Sequence, residues 1–327
     1  MSSNHSEHVS LPPTGPGPVM VIGGAEDKLN DKVILTRFVQ LAGGPDGHVG
    51  VISTASSMGD EATEVYRQLF TRLGIGRVSG IRPVTRDEAN DERLARMLDD
   101  VTGVYLTGGN QLRLSSVVGG TAVGTAILEA HERGAVVAGT SAGASAVTTH
   151  MVAFGASGAT PKHRMAQISA GLGLVRNVVV DQHFEQRTRL GRLLAVVAQS
   201  PTLVGLGLDE DTAALIYADE TLEVIGRGAV TIVDGSQVVT DAFQTKGYRP
   251  MMVSGAILHS IPTGYRFDLR ARKLVPFAID ERPRRIGRRR ETSARRLERL
   301  SREMAVEGAD SFVLERRRPR EEREASE

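Results

Sequence analysis

From Pro18 to about Leu208 the chain alternates short β-branched runs with longer amphipathic stretches, and this alternation constrains its fold more than any other feature. Such a rhythm predicts an α/β fold, a mostly parallel sheet with helices on both faces. Strands are expected at Val19–Ile22, Val49–Ser53, Val78–Pro83, Gly103–Thr107, Ala135–Ala138, Val178–Asp181 and Val204–Leu208. Among the intervening segments, Asp31–Ala42 carries Val33, Ile34, Phe38, Leu41 and Ala42 on one stripe before Gly43, and Asp60–Leu73 carries Val65, Leu69 and Leu73. Asp87–Leu98 follows Thr85, with Glu88 three residues on, the pattern of a capping box. Thr121–Arg133 ends at Gly134. After Asp211 the pattern changes: Thr212–Tyr217, Leu222–Ile225, Ala229–Val233 and Met251–Leu258 alternate with Gly/Asp turns. These are expected as antiparallel strands finishing or flanking the same sheet.

A chain of 327 residues, 40% hydrophobic, has room for one large α/β domain or two small ones. The unbroken run Val204–Tyr217 favours a single domain, over 18–280. Aromatics at 4% and no Trp predict an aliphatic core. The absence of Cys excludes disulfides, thiolate metal ligands and cysteine nucleophiles. Residues 1–17 are polar and Pro/Gly-rich, and are expected as a disordered segment rather than a signal peptide. No apolar run approaches the ~20 residues of a membrane span, so a soluble, cytoplasmic protein is expected. Residues 281–327 hold 15 Arg and no Lys against 11 acidic residues, a net of +4 on a body of about −3. This Arg/Glu-rich tail is expected as a solvated appendage, with Leu297 and Leu300 on a thin helical stripe. Its interleaved Glu and lack of aromatics argue against nucleic-acid binding.

The chemistry is concentrated at Gly139-Thr140-Ser141-Ala142-Gly143, which follows the apolar run Ala135-Val136-Val137-Ala138. This is the G-x-S-x-G pattern of a nucleophile elbow, a strand turning sharply at a serine into a helix. A serine hydroxyl needs a base, a group orienting that base, and donors for the developing oxyanion. Of eight histidines, His183 alone follows a buried-strand pattern, within Asp181-Gln182-His183-Phe184. Asp181, Glu185, Asp209, Glu210 and Asp211 all remain candidates to orient it. The oxyanion donors expected are the backbone N–H groups of Ala142 and of the Gly108-Gly109 turn after Gly103–Thr107, chiefly Gly109. Asn110 and Gln111 would add substrate-facing amides. Gly23-Gly24-Ala25-Glu26-Asp27 lacks both G-x-G-x-x-G and a following Lys-Ser/Thr, which excludes a dinucleotide or P-loop reading. No cluster has metal-ligand spacing, so no metal and no other cofactor is expected.

Four segments taken in order, Ile22-Gly23-Gly24-Ala25-Glu26-Asp27-Lys28, Leu106-Thr107-Gly108-Gly109-Asn110-Gln111, Gly139-Thr140-Ser141-Ala142-Gly143-Ala144 and Asp181-Gln182-His183-Phe184, resemble cyanophycinase. That family comprises serine exopeptidases related to aspartyl dipeptidase, on a fold akin to class I glutamine amidotransferases. The resemblance runs from about Pro18 to about Leu274. It implies Ser141 as nucleophile, His183 as base and, among the open acids, Glu210 as the orienting carboxylate. It also implies cyanophycin as the polymer partner, β-Asp-Arg dipeptides as product, and a homodimer. For such a substrate Asp181 or Glu185 would meet the guanidinium, Gln182 would line the cleft, and Arg187, Arg189 and Arg192 would meet carboxylates. An aspartyl or isoaspartyl dipeptidase, an esterase, or a non-catalytic Arg/Asp peptide-binding protein are the alternatives.

Overall fold

The computed structural model describes residues 15–276. Segments 1–14 and 277–327 lie outside the described residues, and with them most of the expected N-terminal segment and the whole Arg/Glu-rich tail. The chain runs β1 (Val19–Ile22), α1 (Val33–Leu41), β2 (His48–Ile52), α2 (Asp60–Arg72), β3 (Arg77–Ile81), α3 (Arg86–Ala89), α4 (Glu92–Arg96), β4 (Gly103–Leu106), α5 (Gln111–Val118), α6 (Ala122–Glu132) and β5 (Val136–Thr140). Strands β1, β5, β4, β2 and β3 pair parallel in that order. Alternate residues serve opposite faces. Met20 and Ile22 pack with α1 and α2, whereas Val19 and Val21 join the core on the other side.

The expected helix over Asp87–Leu98 is two. Thr85 Oγ1 accepts from Glu88 N (3.2 Å) and starts α3, but Asp91 accepts from Arg93 N (2.8 Å) and caps a second helix. An Asn90-Asp91 pair offers the backbone local partners that compete with helix continuation. The core is not uniformly aliphatic either. Phe38, Tyr66, Phe70 and Tyr105 cluster on one face of the sheet, with ring centroids 4.7–5.8 Å apart.

Beyond β5 come α7 (Ala142–Ala146), the hairpin β6 (His150–Gly155) and β7 (Ala166–Ala170), β8 (Val178–Gln182), α8 (Leu190–Gln199) and β9 (Val204–Leu208). Then follow β10 (Thr212–Ile216), β11 (Thr221–Gly226), β12 (Ala229–Asp234), β13 (Val239–Thr240), β14 (Val253–Ser254), β15 (Ile257–Pro262), β16 (Arg266–Asp268) and β17 (Lys273–Leu274). Strand β10 pairs antiparallel with β1, and β11, β16 and β17 complete a nine-stranded sheet. Strands β8 and β9 do not join it. They pair parallel with each other in a second, four-stranded sheet ordered β15-β12-β9-β8. The expectation of one sheet fails here because an apolar run reports burial on both faces and not the identity of its neighbours.

Helix α7 joins the two sheets. Ala142, Gly143, Ala144, Ser145 and Ala146 are all buried, and a Cβ on Gly143 would overlap the Leu106 carbonyl of β4. On the other side Ser145 Oγ donates to Val180 O of β8 (3.2 Å). Only small residues fit this gap. Among the described residues no helix is long and apolar enough to cross a membrane.

Candidate active site

Strand β5 ends at Thr140 and the chain bends at Ser141, which holds φ 51° and ψ −109°. A serine occupies this region only where its surroundings impose it. Here Gly139 and Gly143 face each other so closely that a Cβ on Gly139 would overlap the Gly143 backbone. Ser141 N donates to Ile22 O of β1 (2.9 Å), tying the bend to the neighbouring strand.

The partner of Ser141 arrives from the second sheet. Gln182 of β8 lies opposite Leu208 of β9, so His183 and the acids 209–211 leave adjacent strand ends side by side. His183 has φ 49°, and its N–H donates to Gly23 O (2.8 Å). Gly24, at φ 97°, lies against the imidazole so closely that a Cβ there would overlap ring atom Cε1. Ser141 Oγ is 2.9 Å from His183 Nε2, and His183 Nδ1 is 2.6 Å from Glu210 Oε1. The other two acids are engaged elsewhere. Asp209 accepts from Glu185 N and Ala229 N (3.3 and 3.2 Å), and Asp211 accepts from Asp27 N (2.8 Å).

Burial lowers the His183 pKa; the hydrogen bond and charge of Glu210 raise it, and the charges of Arg187 and Arg189 lower it again. The balance falls below the ordinary imidazole value, so the ring is neutral at pH 7 and can accept a proton. A hydroxyl, a neutral imidazole and a carboxylate in this sequence can activate the oxygen as a nucleophile.

Ala142 opens α7, where an N–H has no partner within the helix. Across from it, a Cβ on Gly108 would sit 3.4 Å from Ser141 Cβ, and Gly109 is exposed at φ 139°. Asn110 N donates to Ala55 O (2.9 Å), which ties this turn to the loop after β2.

The expected substrate-facing set divides. Asp181 does not face the cleft. It is fully buried and ion-paired, with Oδ2 accepting from Arg192 Nε (2.6 Å) and Oδ1 from Arg192 Nη2 and Arg189 Nη1. An ionised carboxylate shut away from water needs such partners, and the two arginines that start α8 supply them. Arg189 and Arg192 are thereby engaged, and burial lowers the Arg189 pKa to about 10. Gln182 is buried too, its Oε1 accepting from Arg189 Nη1 (2.6 Å). Gln111 Nε2 donates to Val152 O and Ala153 O (3.1 and 2.6 Å), so it tethers β6. Asn110 is exposed, with Oδ1 accepting from Arg113 N (3.0 Å) to cap α5. Arg187 and Glu185 are exposed. No group of three or more His, Asp or Glu side chains converges as a metal site among the described residues.

Sequence reading missed two neighbours of the site, Gly24 and Glu26. Their segment carries part of the resemblance to cyanophycinase and lacks a phosphate-binding pattern, but its spacing gives neither residue a role.

The sequence model of peptidase family S51 matches residues 19–225. A cyanophycinase of Synechococcus elongatus is 38% identical over 272 residues, covering 83% of this chain and 82% of that one. A cyanophycinase of Trichormus variabilis is 38% identical over 261 residues, 79% of this chain and 87% of its own. One of Geminocystis herdmanii is 36% identical over 252 residues, 76% and 93% respectively. Among solved structures, a peptidase from an acI-B1 Actinobacterium shares the fold at a TM-score of 0.56 and 22% identity, over 76% of this chain and 98% of that one. The fold is that of the class I glutamine amidotransferase-like α/β proteins.

Proposed function

This chain belongs to peptidase family S51 and is a serine-type peptidase, and from that premise we propose that it is an exopeptidase that hydrolyses cyanophycin to β-Asp-Arg dipeptides through an acyl-enzyme on Ser141. The observation that carries this reading is the continuous Ser141–His183–Glu210 hydrogen-bond chain in a protein 38% identical to cyanophycinases over four-fifths of its length.

In the proposed cycle His183 Nε2 takes the Ser141 proton as Oγ attacks the scissile carbonyl. The N–H groups of Ala142 and Gly109 receive the oxyanion. Glu210 holds the Nδ1–H tautomer and steadies the imidazolium, which then gives its proton to the leaving amine. Water repeats the sequence to release the acyl group. Arg187, exposed, close enough for its charge to act on the His183 ring, and engaged in no ion pair among the described residues, is the group proposed to meet a substrate carboxylate, with exposed Asn110 and Glu185 as further candidates. Residues 18–280 are taken as the catalytic domain. A homodimer and a cytoplasmic location belong to the same proposal, to be checked by sedimentation and cell fractionation.

Purified protein incubated with cyanophycin should release β-Asp-Arg, and Ser141→Ala should lower that rate by several orders of magnitude. Release by the Ser141→Ala chain at the wild-type rate would overturn the reading. Preference for short Asp-X peptides over the polymer would replace it with a dipeptidase.

A further inference from the structure

Hydrogen-bonded to the residue before the nucleophile is a buried carboxylate that the proposed cycle does not use. Glu26, just past β1, is 4% exposed, yet its two oxygens accept four hydrogen bonds. Oε1 receives Lys28 Nζ (2.6 Å), Tyr66 OH (2.7 Å) and Tyr105 OH (3.1 Å); Oε2 receives the Thr140 hydroxyl (2.6 Å). These donors come from α2, β4, β5 and the loop after β1, so one charge ties those elements to the end of β5, which leads into Ser141. Thr140 is the residue immediately before the nucleophile, and it is 3% exposed.

We propose that Glu26 is a positioning residue for the nucleophile, acting through the Thr140 hydroxyl to fix the bend that presents Ser141 Oγ to His183. The proposal rests on the reading of Ser141 as the nucleophile. Both sides of the bend are anchored: before it Ser141 N donates to Ile22 O and the Thr140 hydroxyl to Glu26, and after it Ser141 O accepts from Ser145 N (3.2 Å) in α7. A β-branched side chain has few rotamers, so pinning its hydroxyl pins the backbone that carries it. The φ of 51° at Ser141 is a conformation the chain leaves unless both sides are held. A carboxylate suits this task better than an apolar side chain would. Packing alone needs no charge, and desolvating one is costly, but an ionised carboxylate can bind four donors in fixed directions. Burial pushes the Glu26 carboxyl up, but the Lys28 charge and the hydrogen bonds from Lys28, Thr140 and Tyr66 outweigh it and hold it below its ordinary value.

Replacing Glu26 would remove four hydrogen bonds at once and threaten folding, so the deciding variants are at Thr140. Full-length wild type, Thr140→Val and Thr140→Ser are compared for kcat and KM on cyanophycin, for fluorophosphonate labelling of Ser141, and for melting temperature. Thr140→Val keeps the shape and loses the hydroxyl. It is expected to lower kcat about 10- to 100-fold, with labelling slowed in proportion and KM within about 2-fold, as displacement of a reacting atom does. Thr140→Ser restores the hydroxyl and is expected within about 5-fold of wild type. A Thr140→Val chain that turns over and labels like wild type overturns the proposal, as does an equal loss in both variants. A wild type that neither hydrolyses nor labels would instead overturn the reading of Ser141 itself.

Discussion

A serine, a histidine and a carboxylate also meet elsewhere in the molecule, there with Asp in place of Glu, and the comparison shows what the nucleophile needs besides a base. His48 Nδ1 is 2.9 Å from Asp100 Oδ1, and its Nε2 is 2.8 Å from Ser79 Oγ. Ser79, however, lies inside strand β3, with no helix start behind it to receive an oxyanion. Ser141 has the bend, the α7 N-terminus and the Gly108-Gly109 turn. Fluorophosphonate is therefore expected to label Ser141 and leave Ser79 untouched, read by peptide mass spectrometry of wild type and Ser141→Ala. The pH profile tests the electrostatics of the same ring. Neutral His183 is the working form and its pKa lies below the ordinary imidazole value, so the acid limb of kcat/KM should fall below about pH 6.5. Arg187 disfavours the imidazolium, so Arg187→Ala should move that limb to higher pH, towards 6.5. A limb that stays in place, or moves down, would contradict this account. Much of this was legible beforehand. The turn chemistry around Ser141 is local, and His183 follows an apolar strand. Spacing left the choice among Asp209, Glu210 and Asp211 open, because each acid leaves the same strand end; the resemblance to cyanophycinase is what implied Glu210, whose Oε1 lies 2.6 Å from the ring.

Among the elements, α7 has the narrowest tolerance. Its five residues are buried between Leu106 of β4 and Val180 of β8, and backbone, not flexible side chain, limits the space at Gly143. Gly143→Ala should destabilise the protein by about 1–3 kcal/mol, since neither carbonyl nor strand can step aside, and a thermal or urea melt will show it. The strands β1 and β9 match the apolar runs to the residue, while β6 and β7 went unseen because the pattern of β7 is half-exposed and lacks a continuous apolar run. Asp181 shows a different limit. Its position at the end of β8 is readable from the sequence, but its direction is decided by Arg189 and Arg192 eight and eleven residues on. Folding turned it inwards because a carboxylate with two arginines in reach is cheaper buried with them than either arginine is buried alone.

For the whole molecule, the described residues 15–276 contain both sheets and every member of the proposed site, and the family match ends at 225. A chain ended after Pro276 should accordingly fold and keep kcat/KM within about 2-fold of the full-length protein, measured on cyanophycin. Loss of activity on that truncation would assign the Arg/Glu-rich tail a part in catalysis or folding. By itself the sequence determined the α/β class, the positions of most strands, the serine bend and the histidine, because periodicity and turn chemistry act over a few residues. The tertiary structure alone decided that β8 and β9 form a second sheet and that Glu26 reaches Thr140 across 114 positions. Those outcomes depend on which strand ends are brought together, and local pattern carries no record of a neighbour so distant along the chain.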